Sequence, residues 1–385
     1  MKRILFIIPS LNTGGTNSSL SNIYSCIKDK CKVSIFSLSG NRNSEFVFDE
    51  NILPTYKFLT IFERSLENSN GVNKIIPLIT KSIIKVLSWL SIDLRIIVYK
   101  IYVNTILKTN HFDCVIGFQE GTATKFASVF ERTNKIAWVH CDYNYYLNSK
   151  LSELAIYQKF NHIVCVSNYT ASVFTKRYPE LSSQIISIYN ILDEDKIKLK
   201  SLESIDDNRF KSNQITFISA GRIVPIKGYE LIPFIASKLK KQGLKFCWYI
   251  LGPEANKEYL VKIHNLINEM GVEDCVVWLG NKTNPYPYIK ASDAFVCTSV
   301  SEACPMVFCE AFTLGVPVIT TNFGSASEFI KDSNFGLICT KDTLSQKLTE
   351  ILTVSKLLYT LKENLKNYQS FNNQIEQDLL RLLEL

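Results

Sequence analysis

The sequence predicts an α/β protein made of two doubly wound parallel-sheet domains, and three observations support this prediction. Its 385 residues are about twice the length of a typical domain. Short apolar, β-branched runs alternate with helical stretches, a pattern typical of parallel strands covered on both faces. The alternation begins again near residue 215. We therefore expect one domain over 1–190 and a second over 191–367, with the charged stretch Asp193–Ser212 as the linker.

The first domain opens with a β-α-β pattern. A strand over Ile4–Ile8 leads into a turn containing Gly14 and Gly15, then a helix over Asn17–Cys26. Apolar runs predict the further strands of this domain at Val33–Leu38, Cys114–Phe118, Ile136–Val139, Ile163–Val166 and Ile185–Ile188.

The second domain repeats this rhythm. Its apolar runs predict strands at Ile215–Ala220, Lys245–Leu251, Cys275–Leu279, Ala294–Thr298, Val316–Thr320 and Gly336–Cys339. The chain ends in a helical stretch over 368–385.

Composition and charge narrow the class of protein. A hydrophobic fraction of 46% with 21% charged residues excludes disorder of the whole chain. The eleven cysteines include no CxxC pair, which favours buried free thiols over a disulfide framework or a zinc site. Charges sum to 21 − 13 = +8 over 1–190 and 22 − 23 = −1 over 191–385. The first domain should therefore prefer an anionic partner. Because the chain contains no recognised nucleic-acid module, we do not expect that partner to be nucleic acid.

A basic and apolar segment at 74–109 interrupts the first domain. It carries six lysines and arginines against one acid, Asp93. Two interpretations stay open: a pair of amphipathic helices at an anionic membrane surface, or helices that pack on the sheet with their lysines in solvent. The chain has no uncharged apolar stretch of 18 residues, and its N-terminal apolar run of five is too short for a signal peptide. We therefore expect a cytoplasmic protein without a membrane span, peripheral at the membrane if at all.

Two carboxylates, Glu302 and Glu310, stand at the ends of a turn and short helix that follow a predicted strand. This places them at the carboxyl edge of a parallel sheet, where α/β folds bind ligands. The turn is made by Pro305. The helix start offers unpaired backbone N–H groups to a phosphate or a sugar hydroxyl, those of Met306, Val307 and Phe308.

Basic and small residues follow other predicted strands. Gly221 and Arg222 follow the first strand of the second domain, and Lys227 comes five residues after Arg222. An arginine fork and a lysine point charge on one loop can clamp a diphosphate. In the first domain, Gly14-Gly15 allows close approach of backbone to a phosphate, without the GxGxxG fingerprint of dinucleotide sites. His140 ends the strand Ile136–Val139 at the sheet edge.

This ordered set of motifs resembles glycosyltransferase family 4, the retaining nucleotide-sugar transferases of GT-B fold. The similarity spans nearly the whole chain and is strongest over 215–340. It implies two Rossmann-like domains that face each other across a cleft, with the acceptor on the first, the nucleotide sugar on the second, and the final helix, about 368–385, crossing back to the first.

The resemblance also implies roles for the charged residues. Arg222 and Lys227 would neutralise the donor diphosphate in place of a metal, so that no cofactor is expected. Glu310 would hold the ribose hydroxyls and Glu302 the hydroxyls of the transferred sugar. Retention would proceed by front-face attack, with the leaving phosphate assisting deprotonation of the acceptor.

Further contacts follow from the same resemblance. His140 would contact the donor sugar near the anomeric centre, Gly15 the phosphate, and the Gly280–Lys282 loop the base. The other expected substrate-binding residues are Gly14, Gly221, Asn281, Pro305, Met306 and Val307. The acceptor would be a glycan or a polyprenyl-diphosphate-linked sugar, met by the 74–109 segment and by Tyr143, Tyr145 and Tyr146.

Some residues depart from the family pattern. Ala303-Cys304 replaces the usual small residue and aromatic, and the Pro-Asn-Gly turn is reduced to Tyr189-Asn190-Ile191. Two alternatives to a UDP-sugar transferase in polysaccharide or glycolipid synthesis therefore stay open: a catalytically silent GT-B subunit that binds nucleotide sugar, and a nucleotide-sugar 2-epimerase. A metal-dependent transferase would use the D-x-D triplet Asp193-Glu194-Asp195.

Overall fold

The computed structural model describes residues 1–11, 14–40, 48, 52–53, 55, 94–105, 107, 110–146, 150–210, 214–330 and 334–385. The chain forms two compact units. Unit 1 comprises Met1–Ile191 and Asn372–Leu385, and unit 2 comprises Leu192–Phe371.

Unit 1 is built on a parallel six-stranded sheet of order β2-β1-β3-β4-β5-β6. The strands are β1 (Arg3–Ile8), β2 (Lys32–Ser37), β3 (Cys114–Gly117), β4 (Asn134–Val139), β5 (His162–Cys165) and β6 (Ile185–Ser187). Their central residues are fully buried, which explains why their sequences are continuous apolar runs.

The described helices of unit 1 are α1 (Gly15–Ile27), α2 (Leu94–Thr105), α3 (Thr122–Ala127), α4 (Lys150–Tyr157), α5 (Asn168–Arg177) and the C-terminal α14 (Asn372–Leu383), with a 3-10 helix over Pro179–Gln184. Helix α5 begins at a capping box in which Ser167 and Thr170 satisfy each other's backbone N–H groups.

Helix α2 is the described part of the basic segment predicted at 74–109, together with residue 107. Its Tyr99 and Tyr102 are fully buried against Phe126, so this face packs in the core of unit 1. Ile97 and Ile101 lie in solvent, with 46% and 56% of their surface exposed. The remainder of the segment, including Lys74, Lys81, Lys85 and Lys108, lies outside the described residues.

The C-terminal helix α14 joins unit 1 from Asn372, four residues later than predicted. Lys2 pairs with Glu384 at 2.6 Å and Lys30 with Glu376 at 2.7 Å. Residues before Asn372 stay with unit 2 because the Tyr368 ring packs against Phe312 and Phe335 there.

Unit 2 has a second parallel sheet of order β12-β11-β10-β7-β8-β9. Its strands are β7 (Thr216–Ala220), β8 (Cys247–Leu251), β9 (Val276–Gly280), β10 (Ala294–Cys297), β11 (Val318–Thr321) and β12 (Gly336–Cys339). The described helices are α6 (Glu194–Lys200), α7 (Leu231–Lys241), α8 (Lys257–Glu269), α9 (Tyr286–Lys290), α10 (Met306–Thr313), α11 (Ala326–Phe329), α12 (Leu344–Thr353) and α13 (Ser355–Leu365).

The prediction of a linker over Asp193–Ser212 is wrong for its described residues, 193–210. Asp193 caps α6 by accepting the Lys196 N–H at 3.0 Å, which uses the first acid of the D-x-D triplet as a helix cap. Farther along, Asp207 pairs with Lys282 of unit 2. Asp193 and Asp207 both bond within unit 2, and the stretch folds as part of that unit.

The predicted fold class is confirmed: both units are doubly wound parallel sheets, and each predicted strand is present within about three residues of its expected bounds. All eleven cysteines lie in the described part and are free thiols. Within the described ranges, every helix is too short or too polar to cross a bilayer.

Candidate active site

The strand order of unit 2 places a topological switch point between β7 and β10. From β7 the chain adds β8 and β9 on one side of the sheet and then β10 to β12 on the other. Ligands bind parallel sheets at the carboxyl ends of strands where the order reverses in this way. Lys227 lies in the loop after β7 and Glu302 in the loop after β10, so both stand at the switch point.

Lys227 and Glu302 contact each other directly. The Lys227 Nζ lies 2.5 Å from the Glu302 Oε1, and their side chains are only 21% and 16% exposed. The Ser299 hydroxyl donates to the same oxygen at 2.7 Å. The Ser325 hydroxyl donates to the Glu302 carbonyl at 2.7 Å, so this residue is held at both its side chain and its backbone.

The loops after β7 and β10 are also joined through their backbones. The Val300 N–H donates to the Ile226 carbonyl at 2.8 Å, and the Thr298 hydroxyl donates to the Lys227 carbonyl at 2.9 Å. Gly228 follows with φ of 64°, and a Cβ there would lie 2.2 Å from the Thr298 carbonyl oxygen. Only glycine permits this approach.

Gly221 and Arg222 continue the site along the edge of the sheet. A Cβ at Gly252, which follows β8, would lie 1.8 Å from the Gly221 carbonyl oxygen. The loops after β7 and β8 therefore touch at a second glycine, which sequence reasoning did not single out. Arg222 is exposed, and its guanidinium has no ion pair or hydrogen bond with any residue the structure describes. Its charge faces solvent beside the Lys227 loop.

Glu310 lies on α10 with its carboxyl group partly buried. The Tyr286 hydroxyl lies 3.5 Å from the Glu310 Oε1, at the limit of a hydrogen bond. Burial raises the pKa of Glu310 to about 7. Near neutral pH this carboxyl can exist in either protonation state, and both states can hydrogen-bond to a hydroxyl.

The predicted free amides at the start of α10 need a correction. The Met306 N–H donates to the Cys304 carbonyl and the Phe308 N–H to the Pro305 carbonyl, both at 2.9 Å. These bonds close a tight turn at the helix start, which uses two of the three donors. The Val307 N–H is the one without a backbone acceptor among the described residues.

The loop after β9 contains Asn281, whose side chain is exposed, and Lys282, whose side chain is not free. Lys282 Nζ lies 2.9 Å from Asp207 Oδ2, and Arg209 Nη2 lies 2.6 Å from the same oxygen. These two cations hold the pKa of Asp207 far below its ordinary value.

In unit 1 the switch point lies between β1 and β3. Of the residues predicted to bind the donor, Gly14 and Gly15 follow β1 and His140 follows β4, so all three lie at the carboxyl edge of this sheet. Gly14 and Gly15 begin α1, and a Cβ at either would meet nothing within 4 Å. The space beside them is open. His140 follows β4, where its backbone N–H donates to Glu120 Oε2 at 2.9 Å.

The His140 imidazole lies against the Phe118 ring, with centroids 4.7 Å apart. Its Nε2 is buried and has no hydrogen-bond partner among the described residues. Burial lowers the pKa of His140 to about 3, so the ring is neutral at physiological pH. A neutral imidazole can accept or donate one hydrogen bond at this nitrogen, but it does not supply positive charge.

Of the three tyrosines expected beside the acceptor, Tyr143 is misplaced by the prediction. It is buried in the core, and its hydroxyl lies 2.6 Å from that of Tyr157. Tyr145 is 51% exposed and Tyr146 is partly buried. The sequence did not separate these cases, because the burial of Tyr143 depends on contacts with Tyr157 of α4 and Phe174 of α5.

A family comparison matches residues 201–368, almost all of unit 2, to glycosyl transferases group 1. Over these residues the chain is similar to this family. The match confirms the glycosyltransferase resemblance, whereas membership of family 4 stays a prediction.

The curated relatives include proteins named as glycosyltransferases. The chain is 28% identical over 257 residues to the N-acetylgalactosamine-N,N'-diacetylbacillosaminyl-diphospho-undecaprenol 4-alpha-N-acetylgalactosaminyltransferase of Campylobacter jejuni, covering 65% of this chain and 67% of that protein. It is 25% identical over 191 residues to the capsular polysaccharide biosynthesis glycosyltransferase CapH of Staphylococcus aureus, covering 46% and 54%. It is 26% identical over 208 residues to an uncharacterized glycosyltransferase of Methanocaldococcus jannaschii, covering 51% of this chain and 50% of that protein. The chain thus spans about half to two thirds of the length of these three relatives.

Solved structures share the fold over the whole chain. Anabaena HepE in complex with UDP and glucose matches with a TM-score of 0.73 and 16% identity, covering all of both chains. A glycosyltransferase from Rickettsia africae matches with a TM-score of 0.75 and 17% identity, covering 100% of this chain and 98% of the other. At this identity the likeness establishes the GT-B fold class and nothing about substrate.

Proposed function

We propose that this protein is a glycosyltransferase that moves a sugar from a UDP-sugar to a glycan or lipid-linked acceptor in surface polysaccharide or glycolipid synthesis. The observation that carries the proposal is the Lys227–Glu302 pair at the switch point of unit 2, within the residues that match group 1 glycosyl transferases. The relatives named for capsule and undecaprenol-linked substrates support the class of acceptor. HepE, which shares the fold, has been solved in complex with UDP, and we propose the same nucleotide for this chain.

The two cations after β7 suit a departing diphosphate. Lys227 is mostly buried and Arg222 is exposed beside it, so that one fixed charge and one adaptable fork can meet the phosphates. A preorganised charge in a site of low dielectric stabilises the negative charge that develops on the leaving oxygen. The proposal therefore assigns this stabilisation to the two side chains, without a metal.

The carboxylates suit the hydroxyl groups of the donor. We assign Glu302 to the transferred sugar and Glu310, with Tyr286 beside it, to the ribose. In the retaining course we propose, the bond from the anomeric carbon to the phosphate oxygen breaks and the bond to the acceptor oxygen forms on the same face. The acceptor proton passes to the leaving phosphate oxygen, so no carboxylate nucleophile is needed.

The proposed acceptor partner of unit 1 is anionic, in keeping with its charge of +8 over residues 1–190. A polyprenyl diphosphate at the inner face of the cytoplasmic membrane fits this charge, and the basic 74–109 segment is the proposed contact. Replacing Lys81, Lys85 and Lys100 by Glu is expected to reduce co-sedimentation with anionic liposomes. Unchanged sedimentation would contradict the membrane contact. The roles of Gly15 and His140 stay predictions made from the resemblance.

The proposed activity is tested by incubating the protein with UDP-glucose, UDP-galactose and their N-acetyl forms, with and without EDTA, and measuring UDP release. Release from one donor that persists in EDTA and falls about 100-fold in Lys227→Ala is the expected result. The matched control is Lys238→Ala, an exposed lysine on α7, which should leave release unchanged. UDP binding without release would favour the silent subunit, and a 2-epimeric free sugar as product would favour the epimerase.

A further inference from the structure

The stretch Asp206–Phe210, which lies outside the predicted motifs, is attached to the outer edge of the sheet of unit 2. Strand β9 is an edge strand, so its outer backbone groups have no neighbouring strand. The Arg209 guanidinium donates to the Trp278 and Leu279 carbonyls, each at 3.1 Å. These are the two residues immediately before Gly280. Arg209 therefore takes the place of a strand neighbour where the Gly280–Lys282 loop begins.

Asp207 connects Arg209 to the far side of the same loop. Its carboxylate accepts a bidentate pair from Arg209, Nε at 2.9 Å and Nη2 at 2.6 Å. Its Oδ2 also accepts Lys282 Nζ at 2.9 Å. The Asp207 side chain is only 8% exposed and that of Lys282 20%, so this ion pair is poorly screened by solvent, whereas the Arg209 side chain is 50% exposed.

Aromatic contacts secure the two ends of this stretch. The Phe210 ring packs on Tyr249 at 4.5 Å and on Tyr288 at 5.4 Å. The Tyr288 hydroxyl donates to Asp206 Oδ1 at 2.9 Å, and Lys282 Nζ lies 5.4 Å from the Tyr288 ring centroid. The Gly280–Lys282 loop is thus held at both ends. Arg209 bonds the strand residues just before it, and Asp207 bonds its last residue, Lys282. Between them Gly280 is left-handed, with φ of 82°, and Asn281 faces solvent.

We propose that Asp207 is a positioning residue for nucleotide binding: through Lys282 and Arg209 it fixes the Gly280–Lys282 loop in the conformation that receives the base of the donor. This inference rests on the proposed function, because it assumes that the loop faces a nucleotide. A loop held in its bound conformation before the ligand arrives loses less conformational entropy on binding. Asp207 does not touch the ligand, so its effect should be confined to ligands that carry a base.

The inference is tested by titrating the full-length protein with UDP and, separately, with inorganic pyrophosphate. Asp207→Asn should weaken UDP binding about tenfold and change pyrophosphate binding less than about twofold, because pyrophosphate has no base for the loop to contact. The matched control is Asp274→Asn, which removes an ion pair of the same kind, with Lys240 at 2.7 Å, but one that is exposed on the surface of unit 2. The control should bind both ligands as the wild type does.

A double-mutant cycle separates positioning from a general loss of structure. Lys282→Met leaves the Asp207–Arg209 pair intact, and it provides a test even if Asp207→Asn fails to fold. It should weaken UDP binding, and Asp207→Asn should have a smaller effect in the Lys282→Met background than in the wild type, because the part that acts through Lys282 is already lost. Independent effects that multiply would overturn the inference.

Other outcomes are equally decisive. Unchanged UDP affinity in Asp207→Asn, or an equal loss for UDP and pyrophosphate, would overturn the positioning role alone. A wild-type protein that binds pyrophosphate but none of UDP, GDP, ADP and CDP would overturn both the role of the loop and the proposed function.

Discussion

Replacing Glu310 by Gln should make the protein more stable at high pH and leave it unchanged at low pH. Burial raises the pKa of this carboxyl from 4.5 to about 7 in the folded state. Between these two pH values the unfolded chain has lost the proton while the folded chain keeps it. The folded state therefore binds more protons, and the free energy of unfolding falls as the pH rises through this window.

The size of this effect follows from the shift. A change from 4.5 to about 7 corresponds, at about 1.4 kcal/mol per pH unit, to as much as 3 kcal/mol of lost stability above pH 7. The value is an upper bound because the carboxyl is partly exposed, and solvent reduces the cost of its charge. Glutamine has the same shape and stays neutral. The variant should match the wild type near pH 4.5 and exceed it by up to about 3 kcal/mol at pH 8.

Thermal melting of both proteins between pH 5 and pH 8 measures this difference. For a unit of this size, 3 kcal/mol corresponds to a rise of up to about 10 °C in Tm. Glu258→Gln, at an exposed acid on α8, is the matched control and should follow the wild type at every pH. Glu310→Gln and wild-type curves that stay parallel from pH 5 to pH 8 would refute the reasoning, because they would mean that Glu310 is ionised throughout.

Three further predictions concern the site and its support. Gly228→Ala should destabilise the protein by about 3 kcal/mol or more, because the new Cβ would lie 2.2 Å from a carbonyl oxygen. The control is Gly243→Ala, where φ is 74° but a Cβ would meet nothing within 4 Å, and it should cost about 1 kcal/mol. Equal losses of Tm would contradict the close approach. Ser299→Ala should lower kcat about tenfold with little change in Tm, since it removes the hydroxyl that holds the Glu302 carboxylate; an unchanged kcat would show that this hydrogen bond does not matter to turnover. In NMR spectra, the imidazole signal that disappears in His140→Gln should not shift between pH 5 and pH 8, and a titration midpoint near 6.5 would contradict the burial of that ring.

The sheets were predictable from the sequence because each strand is buried on both faces. The run Ile4–Ile8 is apolar at every position and is fully buried in β1. The motifs also placed Lys227 and Glu302 in loops that follow strands, and the structure shows that these strands, β7 and β10, are neighbours. Strands and the loops that follow them can be predicted in this way because each depends on residues that are neighbours in the sequence.

Contacts between distant residues were not predictable in this way. Tyr286 beside Glu310 and Ser299 on Glu302 depend on which side chains the fold brings together. The charged stretch with Asp207 looks like a solvated linker, because its ion-pair partner Lys282 lies 75 residues away. The sequence analysis expected the Met306 N–H to be unpaired, although it bonds the nearby Cys304 carbonyl. A tight turn at the start of a helix has no repeating pattern of apolar residues by which the sequence could predict it.

The central claim is that the Lys227–Glu302 site of unit 2 binds a nucleoside diphosphate through its own cations. Calorimetric titration of the protein with UDP in the presence of EDTA tests this claim most directly. The account predicts one-to-one binding that persists in EDTA and weakens at least about tenfold in Lys227→Ala. Binding that requires a divalent metal, or that is as tight in Lys227→Ala as in the wild type, would contradict it.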